Sequence, residues 1–297
     1  FSQIFLYLRV LRVGTRKGLP ELPRNTRAGF PPPLEIEISL FPQFPTTKGV
    51  SEYLHSAMEA ARAAGGLLRA NFGRPLNVDA NEAHDIKLEL DRRSQELIES
   101  LLLGRYPDHA IYGEEGVRGD ANSEFQWVID PIDGTVNFFY GVPHFAISIA
   151  LRRAGRIIVG VIYDPMREEL WAVEENGTPT LNGRPIAVST RTQLSEAVVS
   201  VGVAKSLDSI NRGLPLFERM ARSAKKCRMM GSAALDIAYV ATGRLDAYIE
   251  STISLWDVAA GLLLVERAGG KVLLEPHESA PEKYSIVATS GQIDLGL

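Results

Sequence analysis

The chain has 297 residues, a formal net charge of -4 and one cysteine. Its 45% hydrophobic content excludes disorder for the bulk of the protein, and a lone Cys227 excludes a disulfide scaffold. No stretch approaches the ~18 uninterrupted apolar residues of a membrane span, and the acidic balance gives no sign of a nucleic-acid or membrane partner.

The charge is unevenly spread. Residues 1–49 carry seven Lys/Arg against three acids, a net of +4. The remaining 248 residues carry 25 basic and 33 acidic side chains, a net of −8. The first 49 also hold seven of the 17 prolines, including Pro31-Pro32-Pro33. That density blocks helices and central strands. Three readings stand for this stretch: a cleaved targeting peptide, a disordered extension, or non-native upstream sequence joined to the mature chain. The prolines speak against the amphipathic helix of a targeting peptide. The chain lacks an initiating Met, and Val50-Ser-Glu-Tyr-Leu reads like a natural start. The expectation is an N-terminal extension over 1–49, disordered or non-native, and one working domain over 50–297.

From Val50 onward the pattern is regular. Leu54, Met58, Ala61 and Leu68 predict a helix over Ser51–Phe72 with Ser51 as N-cap. Asp85–Asp91 alternates like a strand, and Asp91–Leu103 repeats the helical spacing. Ala110–Tyr112 and Phe125–Asp130 read as strands. Phe145–Arg152 and Arg156–Tyr163 flank Ala154-Gly155 as a hairpin, and Glu169–Glu174 with the Asn182-Gly183 turn continues the antiparallel set. In the last third, strands are expected at Ala197–Val201, Leu245–Ile249, Lys271–Glu275 and Tyr284–Thr289. Helices are expected at Ile210–Ala224, at Ala233–Thr242 before Gly243, and at Val258–Arg267 before Gly269-Gly270. Hairpins mixed with βα alternation indicate layered α and β elements, an α+β fold.

The chemistry concentrates in Trp127-Val-Ile-Asp130-Pro-Ile-Asp133-Gly-Thr135-Val-Asn137-Phe138. An apolar strand delivers Asp130, Pro131 stops it, and Asp133-Gly134 turns the chain. Two carboxylates then emerge together at a strand end. Their repulsion needs compensation, and a divalent cation with oxygen ligands supplies it. Gly134 permits close backbone approach and Thr135 offers a hydroxyl. The bland reading is a plain turn, since Asp, Pro and Gly all form turns. Three further acidic stretches join it: Gly113-Glu114-Glu115-Gly116 after a short strand, Trp256-Asp257-Val-Ala-Ala-Gly261 opening a helix, and Asp91 at the end of an alternating run. Singly, these read as a solvated loop, an N-cap and a helix-capping acid. Together they supply carboxylates from several loops, as a polynuclear Mg²⁺ site requires. Such a site suits hydrolysis of a phosphate monoester, whose uncatalysed barrier is very high.

At Gly113–Gly116, Trp127–Phe138 and Trp256–Gly261, in that order, the sequence resembles the inositol monophosphatase family of metal-dependent polyol and sugar phosphatases. The resemblance covers residues 50–297. It implies a layered αβαβα sandwich of the inositol monophosphatase and fructose-bisphosphatase type. It also implies a cytoplasmic homodimer and lithium-sensitive hydrolysis with two or three Mg²⁺ per site, with Mn²⁺ as an alternative. Carried over by position, Glu114, Asp130 and the Ile132 carbonyl are expected to ligate the activating metal. Asp130, Asp133 and Asp257 are expected to ligate the second. Glu115 takes the place of an acid behind the ligands. Thr135, with Glu114 or Asp91, is expected to orient and deprotonate the attacking water. The Gly134 and Thr135 N–H groups are expected to hold phosphate oxygens. Asp133, Asp257, Glu250 and the helix-opening Gly231-Ser232-Ala233-Ala234, at Ala233, are expected to meet the substrate, Glu250 through its hydroxyls. Residues 202–208 match no substrate-loop pattern.

Inositol monophosphate is the leading substrate under this resemblance. Histidinol phosphate, fructose 1,6-bisphosphate and a nucleotide 3′-phosphate are alternatives. A phosphatase that forms an aspartyl-phosphate is a second enzyme reading, suggested by Ile132-Asp133-Gly134-Thr135-Val136. There the nucleophile stands two residues before the second Asp, where this chain has Pro131. A non-catalytic, metal-dependent binding protein is the third reading. Other residues are read plainly: Cys227 as a buried small apolar side chain, Lys225-Lys226 with Arg228 as a solvated helix end, and the five His as too scattered for a zinc site.

Overall fold

A computed structural model describes residues 51–82, 85–120, 122–203, 206–277 and 283–297. The proline-rich 1–49 stretch lies outside the described residues.

The described chain opens with α1 (Glu52–Asn71), β1 (Val78–Glu82), β2 (Asp85–Leu88) and α2 (Glu89–Arg105). Next come β3 (Ala110–Gly113), β4 (Gly116–Arg118), β5 (Phe125–Asp133), α3 (Thr135–Phe139), β6 (Ala146–Arg153) and β7 (Arg156–Asp164). The short strands β8 (Glu169–Glu174), β9 (Thr180–Leu181) and β10 (Arg184–Pro185) complete the first half. The second half holds β11 (Val198–Gly202), α4 (Leu207–Ser223), β12 (Lys226–Arg228), α5 (Ala233–Ala241) and β13 (Ala247–Ser254). It ends with α6 (Leu255–Arg267), β14 (Lys271–Pro276) and β15 (Lys283–Thr289).

Two large sheets organise these elements, and β1 and β2 pair as a separate two-stranded sheet. The larger runs β10-β9-β8-β7-β6-β5-β3-β4, and the smaller runs β12-β11-β13-β15-β14. Strand alternation divides the core between their faces. On β5, Trp127 and Ile129 turn toward α1 and α2, packing with Leu68, Ile98 and Leu102. Val128 turns the other way, into a layer with Leu235 of α5 and Val258 of α6. That same layer receives Tyr248 from β13. On the far side of the small sheet, Ala247, Ile249, Val199 and Val201 pack with Met220 of α4. The layers are therefore α, β, α, β, α, the sandwich that the family resemblance implies.

Several local readings shift. Pro131 does not stop β5, which runs on to Asp133. Pairing with β3 ends at Ile129, so the missing Pro131 N–H costs no bond on that side. On the β6 side the register slips between Asp130 and Asp133, a bulge that bends the strand end. The acids Asp91 and Asp257 are not N-caps. Each stands three positions past its cap, inside the first helical turn, where it accepts the cap residue's N–H. Cys227 is half-buried on the edge strand β12, and Lys226 and Arg228 flank it there rather than ending a helix. Ser51 does cap α1, accepting the Leu54 N–H at 3.2 Å. Among the described residues no helix is long and apolar enough to cross a membrane.

Candidate active site

The site forms where the end of β5, the β3–β4 hairpin, the start of α6 and the middle of β13 converge. The β5 bulge presents Asp130 and Asp133. A tight hairpin, with Gly113 paired to Gly116, puts Glu114 and Glu115 at its tip. The first turn of α6 brings Asp257, and β13 brings Glu250. Carboxylate oxygens of Asp130, Asp133 and Asp257 lie within 4.8 Å of one another. They line a cavity of about 500 Å³ together with Glu114, Thr135 and Glu250. Ile132, Gly134 and Ala233 are also on its wall.

Each acid is held in place. The Ile132 N–H donates to Asp130 Oδ1 at 2.9 Å. Asp133 accepts the Ser232 hydroxyl, the Ala234 N–H at 2.9 Å and the Ala233 N–H at 3.3 Å. The N-terminus of α5 thus points its unsatisfied donors at this one carboxylate. The Thr135 hydroxyl lies 2.9 Å from the Ile132 carbonyl and 3.3 Å from Asp91 Oδ1. Gly134 makes the turn between Asp133 and Thr135 at φ +93°, and a Cβ there would meet the Gly231 carbonyl at 3.0 Å. Both the conformation and the space require glycine.

Two expected residues stand away from the cavity wall. Asp91 is buried, and its Oδ1 meets the Thr135 hydroxyl, which is on the wall. Glu115 turns aside, pairing with Lys87 at 3.7 Å, while its N–H donates to Gln95 Oε1. Conversely, Tyr248, Ser254 and Lys283 line the cavity without having been singled out, and Ser232 was given no role of its own. Ser232 carried a usable signal, a serine before an apolar helix with its oxygen free to cap. The others come from paired strands whose meeting no local pattern announces. Residues 202 and 203 and Ser206 reach the same cavity.

The electrostatics follow from burial and crowding. Burial, followed by the charges of Glu114, Asp133 and Asp257, pushes the Asp130 carboxyl well above its ordinary range. Burial and Asp257 raise Asp133 to about 7, against the pull of its Ser232 and Ala234 hydrogen bonds. Burial raises Glu250 to about 8, opposed by the Tyr248 hydroxyl that donates to it. Carboxylates crowded side by side, with Asp130 and Asp133 buried, are a poor structural core. They are a suitable donor set for a hard divalent cation, which favours several oxygen ligands and offsets their repulsion. Asp130, Asp133 and Asp257 could hold such an ion.

Comparison with known proteins agrees with this geometry. The profile of the inositol monophosphatase family matches residues 50–295. The chain is 38% identical over 257 residues to the inositol-1-monophosphatase of Mesorhizobium japonicum, covering 83% of this chain and 95% of that one. It is 41% identical over 245 residues to the Nus factor SuhB of Pseudomonas aeruginosa, covering 79% and 90%. The solved inositol monophosphatase of Anabaena superposes with a TM-score of 0.70 at 37% identity, covering 81% and 91%. With its layered fold and a matched profile across the whole described body, the chain belongs to the inositol monophosphatase family.

Proposed function

We propose that this protein hydrolyses a small phosphate monoester with Mg²⁺, and that inositol monophosphate is the first substrate to assay. The observation that carries the reading is the trio of Asp130, Asp133 and Asp257, the first two buried and the third half-buried, in a cavity of substrate size. Glu114, Asp130 and the Ile132 carbonyl would hold the activating ion, and Asp130, Asp133 and Asp257 the second. Two or three Mg²⁺ are expected, with Mn²⁺ as a substitute and lithium as an inhibitor. When bound, the cations lower the pKa of water and offset charge on the phosphoryl and leaving oxygens.

The chain's own groups supply orientation. Thr135 turns a lone pair toward an attacking water when its proton faces Asp91 or the Ile132 carbonyl. A proton leaving the water then has a path through the hydroxyl to the Asp91 carboxylate, with Glu114 as the other acceptor at the wall. The Gly134 and Thr135 N–H groups face phosphate oxygens. Ala233 and Glu250 border the sugar or polyol ring, and Glu250 accepts from its hydroxyls. Glu115 acts from behind the ligands, and residues 50–297 carry the whole activity.

The reading includes a cytoplasmic homodimer. It includes no nucleic-acid or membrane partner, on the strength of the body's net charge of −8. Histidinol phosphate, fructose 1,6-bisphosphate and a nucleotide 3′-phosphate complete the substrate panel. A second reading, a non-catalytic binding protein, draws its support from the Nus factor name of a 41% identical relative. Release of phosphate from the panel, with and without Mg²⁺, separates the two. No turnover of any ester with Mg²⁺ sinks the phosphatase reading.

A further inference from the structure

The helix α2 buries a polar face. Asp91, Ser94, Gln95 and Glu99 are all buried on it, at the i, i+3, i+4 and i+8 spacing of one stripe. A helix normally turns apolar residues inward, and a buried polar group costs stability unless it is bonded. These side chains find their partners on the frame of the candidate site. Asp91 meets the Thr135 hydroxyl, and the Ser94 hydroxyl donates to the Pro131 carbonyl at 3.3 Å. Gln95, one turn after Asp91, meets the hairpin that carries Glu114.

That hairpin needs holding. Among the described residues β4 pairs with β3 alone, lies at the edge of the large sheet and is exposed along its length. The Lys87–Glu115 pair at 3.7 Å is half-exposed on the lysine side, and such pairs add little. The Gln95 amide spans the tip instead. Its Oε1 accepts the Glu115 N–H at 2.9 Å, and its Nε2 donates to the Gly116 carbonyl at 3.4 Å. The same Nε2 donates to Glu99 Oε1 at 2.8 Å. An ionised carboxylate only accepts, so Glu99 fixes which way the amide faces. Arg118 Nε on β4 lies 2.7 Å from the other Glu99 oxygen. Gly113 makes room for this approach, since a Cβ there would stand 2.6 Å from Gln95 Cδ. A side chain that only filled space at position 95 would not match donor to acceptor at three points.

We infer that Gln95 is a positioning residue, which fastens the β3–β4 hairpin to α2 and so sets where Glu114 stands relative to the acids of β5. The Asp91 and Ser94 contacts fix the same helix against the end of β5 and its turn. One packed helix therefore gauges the spacing between Glu114 and Asp130. Glu99 and Arg118 support the amide from behind. The inference rests on the reading of Glu114 as a ligand of the activating ion. It adds to that reading a residue that is not on the cavity wall.

The test uses the full chain with Gln95→Met, which keeps the length and loses the amide, and Arg118→Gln, an exposed change that spares the core. Hydrogen exchange at the Glu115 amide should speed up about tenfold in Gln95→Met, and less in Arg118→Gln. Calorimetric titration with Ca²⁺ reads metal affinity without turnover. Binding should weaken about tenfold in Gln95→Met, the scale of one or two lost hydrogen bonds, and less in Arg118→Gln. With inositol 1-phosphate the Mg²⁺ concentration for half-maximal rate should rise by the same factor, while saturating Mg²⁺ restores kcat. In a Glu114→Gln background Gln95→Met should change Ca²⁺ binding little, since the group it positions no longer carries a charge. Unchanged exchange and Ca²⁺ affinity overturn the inference. A further tenfold loss on top of Glu114→Gln overturns it too, because Gln95 would then act on the fold at large. If Gln95→Met fails to fold, Arg118→Gln decides by the same two readings. Faster exchange and weaker Ca²⁺ binding, with no turnover under Mg²⁺ by any of the chains, would keep the inference and sink the phosphatase reading.

Discussion

Ser232 donates its hydroxyl proton to Asp133 from 99 residues away, joining the cap of α5 to the end of β5. The adjacent Ala234 N–H adds a second bond to the same oxygen. One carboxylate of the large sheet is therefore fixed by a helix that packs between the two sheets. Neighbouring charges and burial would otherwise keep Asp133 protonated.

Replacing Ser232 with Ala should therefore do more than remove a helix cap. A lost hydrogen bond to a buried charged group costs about 1.5–3 kcal/mol. The Asp133 carboxyl should rise further, because a bond favouring its ionised form is gone. The expected outcome is a lower Tm and a weaker Tm response to MgCl₂. An unchanged response would mean that Ser232 only caps the helix.

Asp130→Asn tests the centre of the site. Asp130 is the acid expected to touch both cations, so its loss should cost several kcal/mol of transition-state stabilisation, on the order of 10³-fold in kcat. The fold should persist. The metal-free variant should melt no lower than the parent, since a buried charge repelled by Glu114, Asp133 and Asp257 has been removed. Circular dichroism and a phosphate-release assay read the two effects. Near-normal kcat would sink the ligand assignment.

Much of this site was legible in the residues from Trp127 to Phe138, and part of it was not. Asp130, Asp133, Gly134 and Thr135 are close in sequence, so a local motif carries their relationship. The α-β layering was legible as well, because period-2 strands and period-3.6 helices sort themselves by burial. Pro131 misled, because a proline breaks a strand only where a ladder bond is needed, and β3 has already ended at Gly113. The bland readings of Asp91 and Asp257 as caps miss because α2 and α6 start a few residues before the apolar pattern does. Tyr248 and Lys283 were beyond local reading. Their places on the cavity wall depend on which strands pair, and the β13–β15 register is a tertiary fact.

Glu250→Gln should separate recognition from chemistry. The Glu250 side chain accepts from Tyr248 and lies on the cavity wall, where it feels the charges of Asp257 and Asp133 without joining the trio itself. Its replacement should raise KM for polyol phosphates several-fold, the scale of one hydrogen bond to a charged group at about 1.5–3 kcal/mol. A generic aryl phosphate, which offers no ring hydroxyls, should lose little. A kcat collapse on both substrates would place Glu250 in the chemistry instead.

Gly160→Ala probes the layering itself. Gly160 lies on β7 beneath α6, and a Cβ there would stand 2.6 Å from the Ala260 carbonyl oxygen and 3.1 Å from its Cα. Backbone cannot yield as a side-chain tip can, so α6 must shift. Overpacking of this kind costs about 1–3 kcal/mol. Because α6 also carries Asp257, the shift should reach the site. Tm and Mg²⁺ response should fall together. A lower Tm with an intact metal response would show that the first turn of α6 is held independently, for instance by the Ser148 hydroxyl bond to the Trp256 carbonyl at 3.2 Å.

The pH dependence of metal binding follows from Asp133. Its carboxyl sits at about 7 in the fold against an ordinary 3.8. Between those values the unfolded chain has released the proton and the folded chain still holds it. Stability of the metal-free protein therefore falls as pH rises through this window. A divalent cation held by the proposed ligands would have to displace that proton. At pH 6 the cation competes with a bound proton, whereas at pH 8 it meets a carboxylate already ionised at a cost to the fold. The Tm increment given by MgCl₂ should consequently grow between pH 6 and 8, and Asp133→Asn should flatten the trend. A Tm increment independent of pH would mean that the cation binds without displacing a proton from Asp133.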